Sequence, residues 1–180
     1  MRVISGTARG IVLKTPVGME TRPTADRVKE ALFSIIHFDL PGAKVLDLFG
    51  GTGQLGIEAL SRGASYVQFV DASDKACRLI KENVNRAGFN DSANVMRADY
   101  ATYLKTTRET FNIILLDPPY IEVFLENALK MITEIDILQS GGIIVTERPL
   151  EKELSIDFPG YSRSKDYKYG KTLLTLFYKQ

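Results

Sequence analysis

The chain offers almost no thiol or imidazole chemistry. Its 180 residues include one cysteine, Cys77, and one histidine, His37. A single cysteine excludes an internal disulfide and fits a reducing compartment, and a lone thiol far in sequence from the only imidazole is a poor nucleophile. We therefore expect both side chains to be structural, and we expect no metal site.

The sequence also lacks a large net charge and any long apolar run. It has 23 basic and 22 acidic side chains, a formal charge of +1, which is not the charge of a protein that coats nucleic acid. No apolar run approaches the roughly 18 residues that a membrane span needs, and the first residues lack the apolar core of a signal peptide. We expect a cytoplasmic protein that does not bind membranes and that meets any polyanion through a local surface.

No repeat, low-complexity tract or flexible linker divides the chain, so we expect one domain over residues 1–180. Short β-rich runs alternate with helical patterns, and an antiparallel hairpin closes the chain through Tyr169-Gly170. This alternation is typical of an α/β doubly wound sheet. The predicted strands are 44–49, 66–71, 94–99, 111–117, 142–146, 161–167 and 171–179. The predicted helices follow caps at Thr24 and Ser73 or span 54–62 and 124–135.

Positive charge is concentrated at the beginning of the chain. Residues 1–30 carry a formal charge of +3, and the other 150 residues carry −2. Turn residues divide residues 1–23 into two short extended pieces, which predicts an N-terminal β-hairpin. We expect a phosphate-binding edge there, although solvated charges around a capped helix would give the same pattern. The candidate contacts are Arg2, Arg9, Arg22, Thr24 and Arg27.

The first strand runs into a glycine-rich turn that is preceded by an acid, Asp47. Gly51, Gly53 and Gly56 match GxGxxG, and Asp71 follows 20 residues after Gly51, as in a dinucleotide-binding fold. However, Asp47 places a carboxylate where that fold would bring pyrophosphate. A carboxylate suits a cationic ligand such as S-adenosylmethionine, which has an ammonium and a sulfonium but no phosphate.

Acids also end the next two predicted strands. Asp71 would accept from both ribose hydroxyls, and Asp99 would accept from the adenine amino group with Tyr100 beside it. The alternative is that each acid only caps the helix that follows. Three acids in register favour a cofactor site. The predicted contacts are Asp47, Phe49, Gly50, Gly51, Gly53, Asp71, Ala72, Asp99 and Tyr100.

The tetrapeptide Asp117-Pro118-Pro119-Tyr120 follows a nearly unbroken apolar run. Two prolines fix the backbone, so the Asp117 carboxylate and the Pro118 carbonyl can face one point. Two acceptors there would hold the N–H bonds of a planar amine, favour a pyramidal nitrogen and turn its lone pair toward a methyl donor. Tyr120 would stack on the base. We predict these four residues as the catalytic site, with an ordinary proline turn as the alternative.

Together, these segments resemble one family. Four segments carry the resemblance: the glycine loop, the Asp-Pro-Pro-Tyr tetrapeptide, Arg2-Val-Ile-Ser-Gly and Arg22-Pro-Thr-Ala-Asp-Arg-Val-Lys-Glu-Ala-Leu-Phe. They are similar to segments of the bacterial 16S ribosomal RNA guanine-N2 methyltransferases, the D-type small-subunit enzymes. The glycine loop and the tetrapeptide occur in many methyltransferases, whereas the two N-terminal segments are far more specific. The resemblance spans nearly the whole chain.

The resemblance implies a Rossmann-like class I methyltransferase fold with seven strands, and S-adenosylmethionine as the methyl donor. It implies one guanine of 16S rRNA as the target, presented within the small ribosomal subunit or its assembly intermediate, with contacts from ribosomal proteins. Residues 1–23 would then be an RNA-contacting extension. Asp71 stands where a relative often has Glu, which should preserve ribose binding, and Thr52 replaces a common Ser. We expect a monomer.

Other functions fit parts of this pattern. A DNA adenine-N6 or protein glutamine-N5 methyltransferase would use the same tetrapeptide geometry, although glutamine enzymes usually have Asn at the position of Asp117 and DNA enzymes usually add a target-recognition region. An NAD-dependent oxidoreductase would explain the glycines and Asp71 but not Asp47 or the proline turn. An RNA-binding module without activity gives no reason for a cofactor loop.

Overall fold

One mixed sheet with helices on both faces forms the body of the computed structural model, which describes residues 1–16, 23–119, 124–154 and 157–180, without the side chains of 23–25. The helices are α1 (Pro23–Ile35), α2 (Gln54–Ser61), α3 (Asp74–Ala87), α4 (Tyr100–Thr106) and α5 (Phe124–Ile135). The strands are β1 (Lys44–Asp47), β2 (Tyr66–Asp71), β3 (Ala93–Arg97), β4 (Phe111–Leu116), β5 (Leu138–Pro149), β6 (Tyr161–Arg163), β7 (Tyr167–Tyr169) and β8 (Thr172–Lys179).

The strand order confirms the predicted doubly wound sheet with a C-terminal antiparallel hairpin. The order is β3-β2-β1-β4-β5-β8-β6, and the first five strands are parallel. Strand β8 runs antiparallel to β5, and its other edge pairs first with β7 and then with β6. The eight segments therefore occupy seven positions, because β6 and β7 are two parts of one interrupted edge strand.

The core lies on both faces of the sheet. One layer packs beneath α1, α2 and α3 around Val45, Leu115 and Val145, and the other packs beneath α4 and α5 around Leu46 and Leu116. Gly56 lets α2 approach β2 closely, because a Cβ there would stand 2.2 Å from the ring of Phe69. This close packing holds the start of α2 over the carboxyl ends of the strands.

Several element boundaries differ from those predicted. Helix α4 was not predicted, because its seven residues give little periodicity; the side chain of Asp99 caps it, as the alternative interpretation of that acid held. Helix α1 already includes Thr24, which is therefore not its cap; Pro23 suits the first turn because its fixed φ is helical and a donor is not needed there. Ser73 caps α3 and Gly88 ends it with φ 81°, as predicted.

The first residues form a hairpin with a single antiparallel bridge, between Arg2 and Val12. It is fastened to α2 by Glu58, whose carboxylate accepts from the backbone N–H groups of Ile4 at 2.8 Å and Ser5 at 3.0 Å. Buried Lys29 of α1 donates to the carbonyl oxygen of Arg2 and lies 3.4 Å from the same carboxylate. The hairpin therefore packs onto α1 and α2 by buried polar contacts. Among the described helices, none has the length and apolar character needed to cross a membrane.

Candidate active site

A cavity of about 470 Å³ opens at the carboxyl ends of β1 to β4, where a parallel α/β sheet binds its ligands. The structure brings together there every predicted cofactor residue except Gly53, along with three of the four predicted catalytic residues. The described lining residues are Met1, Asp47, Phe49, Gly50, Gly51, Thr52, Gln54, Leu55, Asp71, Ala72, Asp99, Tyr100, Asp117, Pro118, Pro119 and Phe124.

Asp47 is the acid at the centre of the cavity. It is 2% exposed, and its carboxylate accepts from the backbone N–H of Gly56 at 3.1 Å. Burial raises the pKa of Asp47 to about 7, and the neighbouring charges of Asp117 and Asp71 act in the same direction. No cation pairs with it among the described residues. A buried carboxyl without a counter-charge is therefore available to a cationic ligand.

The loop after Asp47 turns sharply through Gly53, whose φ of 80° is left-handed and favours glycine. Its N–H donates to the carbonyl oxygen of Gly50 at 2.7 Å, which closes the turn. Gly53 is thus placed beneath the cavity as a turn residue and not on its wall. Gly53 therefore shapes the loop that carries Gly50 and Gly51 to the cavity.

Asp71 and Asp99 combine a structural role with a place on the cavity wall. Asp71 accepts from the N–H of Gly51 at 2.9 Å through one oxygen and from that of Ser73 at 2.8 Å through the other, so it braces two loops. One oxygen of Asp99 accepts from the N–H groups of Ala101 and Thr102 at 3.0 and 3.1 Å, which caps α4. A carboxylate has about four acceptor positions, so both acids retain lone pairs for a ligand.

Three aromatic rings form an apolar wall. Phe49 and Tyr100 have ring centroids 5.4 Å apart, and Phe124 lies 6.5 Å from Phe49 and 5.5 Å from Tyr100. Sequence reasoning missed Phe124, although its position shortly after the proline tetrapeptide was a usable signal. The wall is suited to a planar heterocycle such as adenine.

Gln54 is a second residue that sequence reasoning missed. It is the first residue of α2 and lines the cavity, and its Oε1 is buried without a hydrogen-bond partner among the described residues. A buried carbonyl oxygen without a donor is costly. The oxygen therefore points to a ligand donor in the cavity.

Asp117 stands where the cavity meets the end of β4. Burial raises the pKa of Asp117 to about 6, and its carboxyl has no hydrogen-bond or ion-pair partner in the described part of the chain. Pro118 is buried and Pro119 is exposed, and both line the cavity. Tyr120, the fourth predicted catalytic residue, lies outside the described residues.

The predicted phosphate contacts lie beside this cavity and not within it. Arg2 and Arg9 are exposed and border a separate depression of about 260 Å³ with Asp26 and Glu30. Arg27 is exposed on α1. Of the remaining contacts, Arg22 and the side chain of Thr24 lie outside the described part of the chain. The hairpin nevertheless reaches the cavity at the strand ends, because Met1 lines it and the Sδ of Met1 accepts from the Thr52 hydroxyl at 3.4 Å.

Glu147 is a third residue that sequence reasoning missed. It lies on β5 just beyond the last pairing of that strand with β4, beside Asp117. Burial raises the pKa of Glu147 to about 8, and the charge of Asp117 adds to the effect. No sequence motif marked this acid, because its position beside Asp117 depends on the pairing of β4 with β5.

Comparison with known proteins agrees with this geometry. The sequence profile of the family described as "Conserved hypothetical protein 95" matches residues 1–178. "Putative rRNA methyltransferase YlbH" of Bacillus subtilis is 41% identical over 183 residues, which cover 100% of both chains. "Ribosomal RNA small subunit methyltransferase D" of Haemophilus influenzae is 32% identical over 157 residues, which cover 86% of this chain and 81% of the relative.

A solved structure has the same fold over the full chain. "Putative methyltransferase yhhF from Escherichia coli" aligns with a TM-score of 0.90 and 28% identity, covering 100% of this chain and 98% of that one. The fold is therefore that of the S-adenosylmethionine-dependent methyltransferases, and the resemblance read from the sequence motifs is confirmed. The chain belongs to the family described as Conserved hypothetical protein 95, the family of the D-type small-subunit ribosomal RNA methyltransferases.

Proposed function

We propose that this protein methylates the exocyclic N2 amine of one guanine in small-subunit (16S) ribosomal RNA, with S-adenosylmethionine as donor. The observation that carries the proposal is that two acids on neighbouring parallel strands lie beside each other and form no ion pair with any described residue. Asp47 and Asp117 both line the cavity, from the ends of the adjacent strands β1 and β4. A cation site and an amine site therefore share one edge of the sheet.

The residues of the cavity fit S-adenosylmethionine. Asp47, buried and without a counter-charge, suits the ammonium, and the remaining lone pairs of Asp71 suit the ribose hydroxyls. The aromatic wall and the free oxygen of Asp99 suit adenine. When bound there, the cofactor supplies a methyl group on a sulfonium, which is a good leaving group.

At the amine site, the side chain of Asp117 and the carbonyl of Pro118 would accept the two N–H bonds of the guanine amine. These contacts turn the nitrogen lone pair toward the cofactor cavity, and positioning then supplies most of the rate. As the N–C bond forms and the S–C bond breaks, the nitrogen becomes positive and loses a proton. The Asp117 carboxylate, with its pKa raised to about 6, is the adjacent acceptor.

The substrate class is supported by the names of the relatives and by exposed cations beside the site. Both curated relatives are named for ribosomal RNA, one of them for the small subunit. Arg2, Arg9 and Arg27 are exposed on the hairpin and α1 and could contact phosphates. The target base would have to leave its stack to reach Asp117.

The test is transfer of labelled methyl from S-adenosylmethionine to small subunits isolated from cells that lack this protein. We expect N2-methylguanosine in one rRNA fragment after nucleoside analysis. Naked 16S rRNA and an assembly intermediate, tested in parallel, would identify the preferred partner. Absence of label in the RNA, with transfer to DNA or to a glutamine-containing protein, would overturn the substrate assignment and leave the fold assignment unchanged. Preference for NAD over S-adenosylmethionine in a binding titration would overturn the reaction class.

Substitution of Asp117 tests the mechanism. We expect Asp117→Ala to lower methyl transfer at least about 100-fold, because the amine is no longer held, and to leave cofactor affinity nearly unchanged. The matched control is Asp91→Ala, an exposed acid on the short helix Asn90–Ser92. Equal loss of transfer and of cofactor binding would show that Asp117 belongs to the cofactor site instead.

A further inference from the structure

Acids stand at or near the carboxyl ends of four neighbouring parallel strands, and a fifth acid follows the last residue of β5 that pairs with β4. In spatial order from β3 through β2, β1 and β4 to β5, they are Asp99, Asp71, Asp47, Asp117 and Glu147. The first four line the cofactor cavity and have roles in the proposed function. Glu147 lies one strand beyond the amine site and has no role so far.

The strand register brings Glu147 beside Asp117. Leu116 pairs with Thr146 in the parallel ladder, so the next residue on each strand is an acid, and adjacent strands lie about 4.8 Å apart. Glu147 also pairs with Leu174 across β5 and β8. Leu174 packs into the core layer beneath α1 and α2, so Glu147 faces the side of the sheet on which Asp47 contacts α2.

Glu147 is half-buried and has no hydrogen-bond or ion-pair partner in the described part of the chain. The next residue, Arg148, faces the opposite side, where its guanidinium donates to Asp166 at 2.6 Å and to the carbonyl oxygen of Lys152 at 2.7 Å. The only cation adjacent to Glu147 along the strand is therefore engaged elsewhere. Within the described residues, two carboxyls without a hydrogen-bond or ion-pair partner therefore lie side by side at the point where a substrate amine is expected.

This arrangement matches one nucleobase. Guanine has an N1–H donor directly beside its N2 amine, whereas adenine and cytosine have an acceptor nitrogen beside their amines. A carboxylate next to the amine site would attract the N1–H of guanine and repel the lone pair of the other two bases. Buried acceptors discriminate strongly, because a wrong ligand leaves them unpaired.

We propose that Glu147 is the specificity-determining residue that accepts the N1–H of the target guanine while Asp117 holds the amine. The inference rests on the proposed function, since it assigns a second contact to the same base. Before the base arrives, burial and the charge of Asp117 keep the pKa of Glu147 near 8. The N1–H donor would favour the ionised carboxylate and release that proton to solvent.

The test compares guanine with 2-aminopurine, which keeps the amine at position 2 but has an acceptor at N1. Once the modified nucleotide has been located, small subunits are reconstituted with rRNA that carries either base at that position. At about pH 8.5, where most of the Glu147 carboxyl is ionised, we expect the wild-type protein to prefer guanine in kcat/KM by about tenfold or more. In Glu147→Gln, the side-chain amide can donate to N1 of 2-aminopurine, so the preference should shrink by about tenfold.

The ratio of kcat/KM for guanine to kcat/KM for 2-aminopurine is unaffected by a general loss of activity, which changes both values equally. Glu147→Ala provides a second variant that should also lose the preference for guanine. Glu151→Gln, an exposed acid just after β5, is the matched control and should keep the wild-type ratio. An unchanged ratio in both Glu147 variants, or a wild-type preference for 2-aminopurine, would overturn the role of Glu147. Failure of the wild-type protein to methylate any guanine of the subunit would instead overturn the proposed function.

Discussion

At the scale of single residues, the site depends on carboxyls that the fold keeps in an unfavourable environment. Burial raises the pKa of Asp47 to about 7 and that of Asp117 to about 6, and the charges of Asp117 and Asp71 act further on Asp47. A surface acid in an ion pair has its counter-charge within the protein. Asp47 and Asp117 form no ion pair with any described residue, so the counter-charge is left for a ligand to supply.

Asp47 should make cofactor binding depend on pH. A cationic amine binds the ionised carboxylate, whose fraction falls as the pH drops below about 7, so S-adenosylmethionine affinity should weaken from pH 8 to pH 5.5. We expect Asp47→Asn to raise Kd about 10- to 100-fold at pH 8, because a charge-assisted contact is lost, and to flatten the pH profile. Calorimetric titration measures both. A wild-type profile in Asp47→Asn would remove this carboxyl from the ammonium site.

Gln54 should contribute to the same cavity. Its buried Oε1 has no donor within the described part of the chain. If a ligand supplies that donor, Gln54→Ala should weaken cofactor or substrate binding about tenfold and should not lower the free energy of unfolding of the ligand-free protein, since no hydrogen bond is lost. Binding titration and urea unfolding of the same variant give the two values. Lower stability with normal binding would assign Gln54 a structural role.

At the scale of elements, the N-terminal hairpin depends on one buried acid of α2. Glu58 is 0% exposed, and it accepts from two hairpin N–H groups while it neutralises Lys29 and Arg62. The network fastens the hairpin, α1 and α2 to one another. It thereby positions Met1 at the cavity and the exposed arginines beside it.

Substitution of Glu58 should loosen this network. Glu58→Gln removes the ion-pair partner of the buried Lys29 ammonium, so we expect the free energy of unfolding to fall by about 2–4 kcal/mol. Urea denaturation measures the loss, and amide hydrogen exchange should accelerate at Ile4 and Ser5. Glu134→Gln, an exposed acid of α5, serves as the matched control. Unchanged exchange at these two amides would mean that the hairpin is held by other contacts.

The hairpin arginines should act on RNA affinity and not on chemistry. We expect the double variant Arg2→Ala/Arg9→Ala to weaken binding to small subunits and to reduce the slope of log affinity against log salt by about 2. The control Lys105→Ala/Arg108→Ala removes the same charge from exposed side chains of α4 and of the loop that follows it. Equal effects of the two pairs would indicate a response to net charge alone.

At the scale of the whole molecule, the acids of the site couple ligand-free stability to pH. Asp47, Asp117 and Glu147 all have raised pKa values, so the folded chain binds more protons than the unfolded chain above about pH 4.5. Unfolding then releases protons, and the free energy of unfolding falls as the pH rises. The contribution is present at low pH and is lost as the pH rises through about 6 to 8.

Thermal unfolding of the ligand-free protein should show this dependence. We expect Tm to fall from pH 5 to pH 8, and the fall to be smaller in the double variant Asp47→Asn/Glu147→Gln, whose side chains do not titrate. Addition of S-adenosylmethionine should raise Tm most at pH 8, where Asp47 is ionised. A Tm that rises with pH in the wild-type protein would contradict the assignment of these three acids.

The sequence predicted the elements well wherever local signals are strong. Strand β2 has the predicted bounds, and α3 begins after Ser73 and ends at Gly88, because alternation, capping and a left-handed glycine act over a few residues. Helix α4 was missed because seven residues give little periodicity. The predicted strand at 142–146 extends over Leu138–Pro149, because pairing with both β4 and β8 lengthens it.

By itself, the sequence determined the fold class, the family and the acids at four strand ends, because each depends on residues that are close together in the chain. The tertiary structure alone decided which of those ends are neighbours. The pairing of β4 with β5 brings Glu147 beside Asp117, and the packing of α5 brings Phe124 against Phe49. Such contacts join distant segments through strand order and helix packing, and no local pattern encodes them.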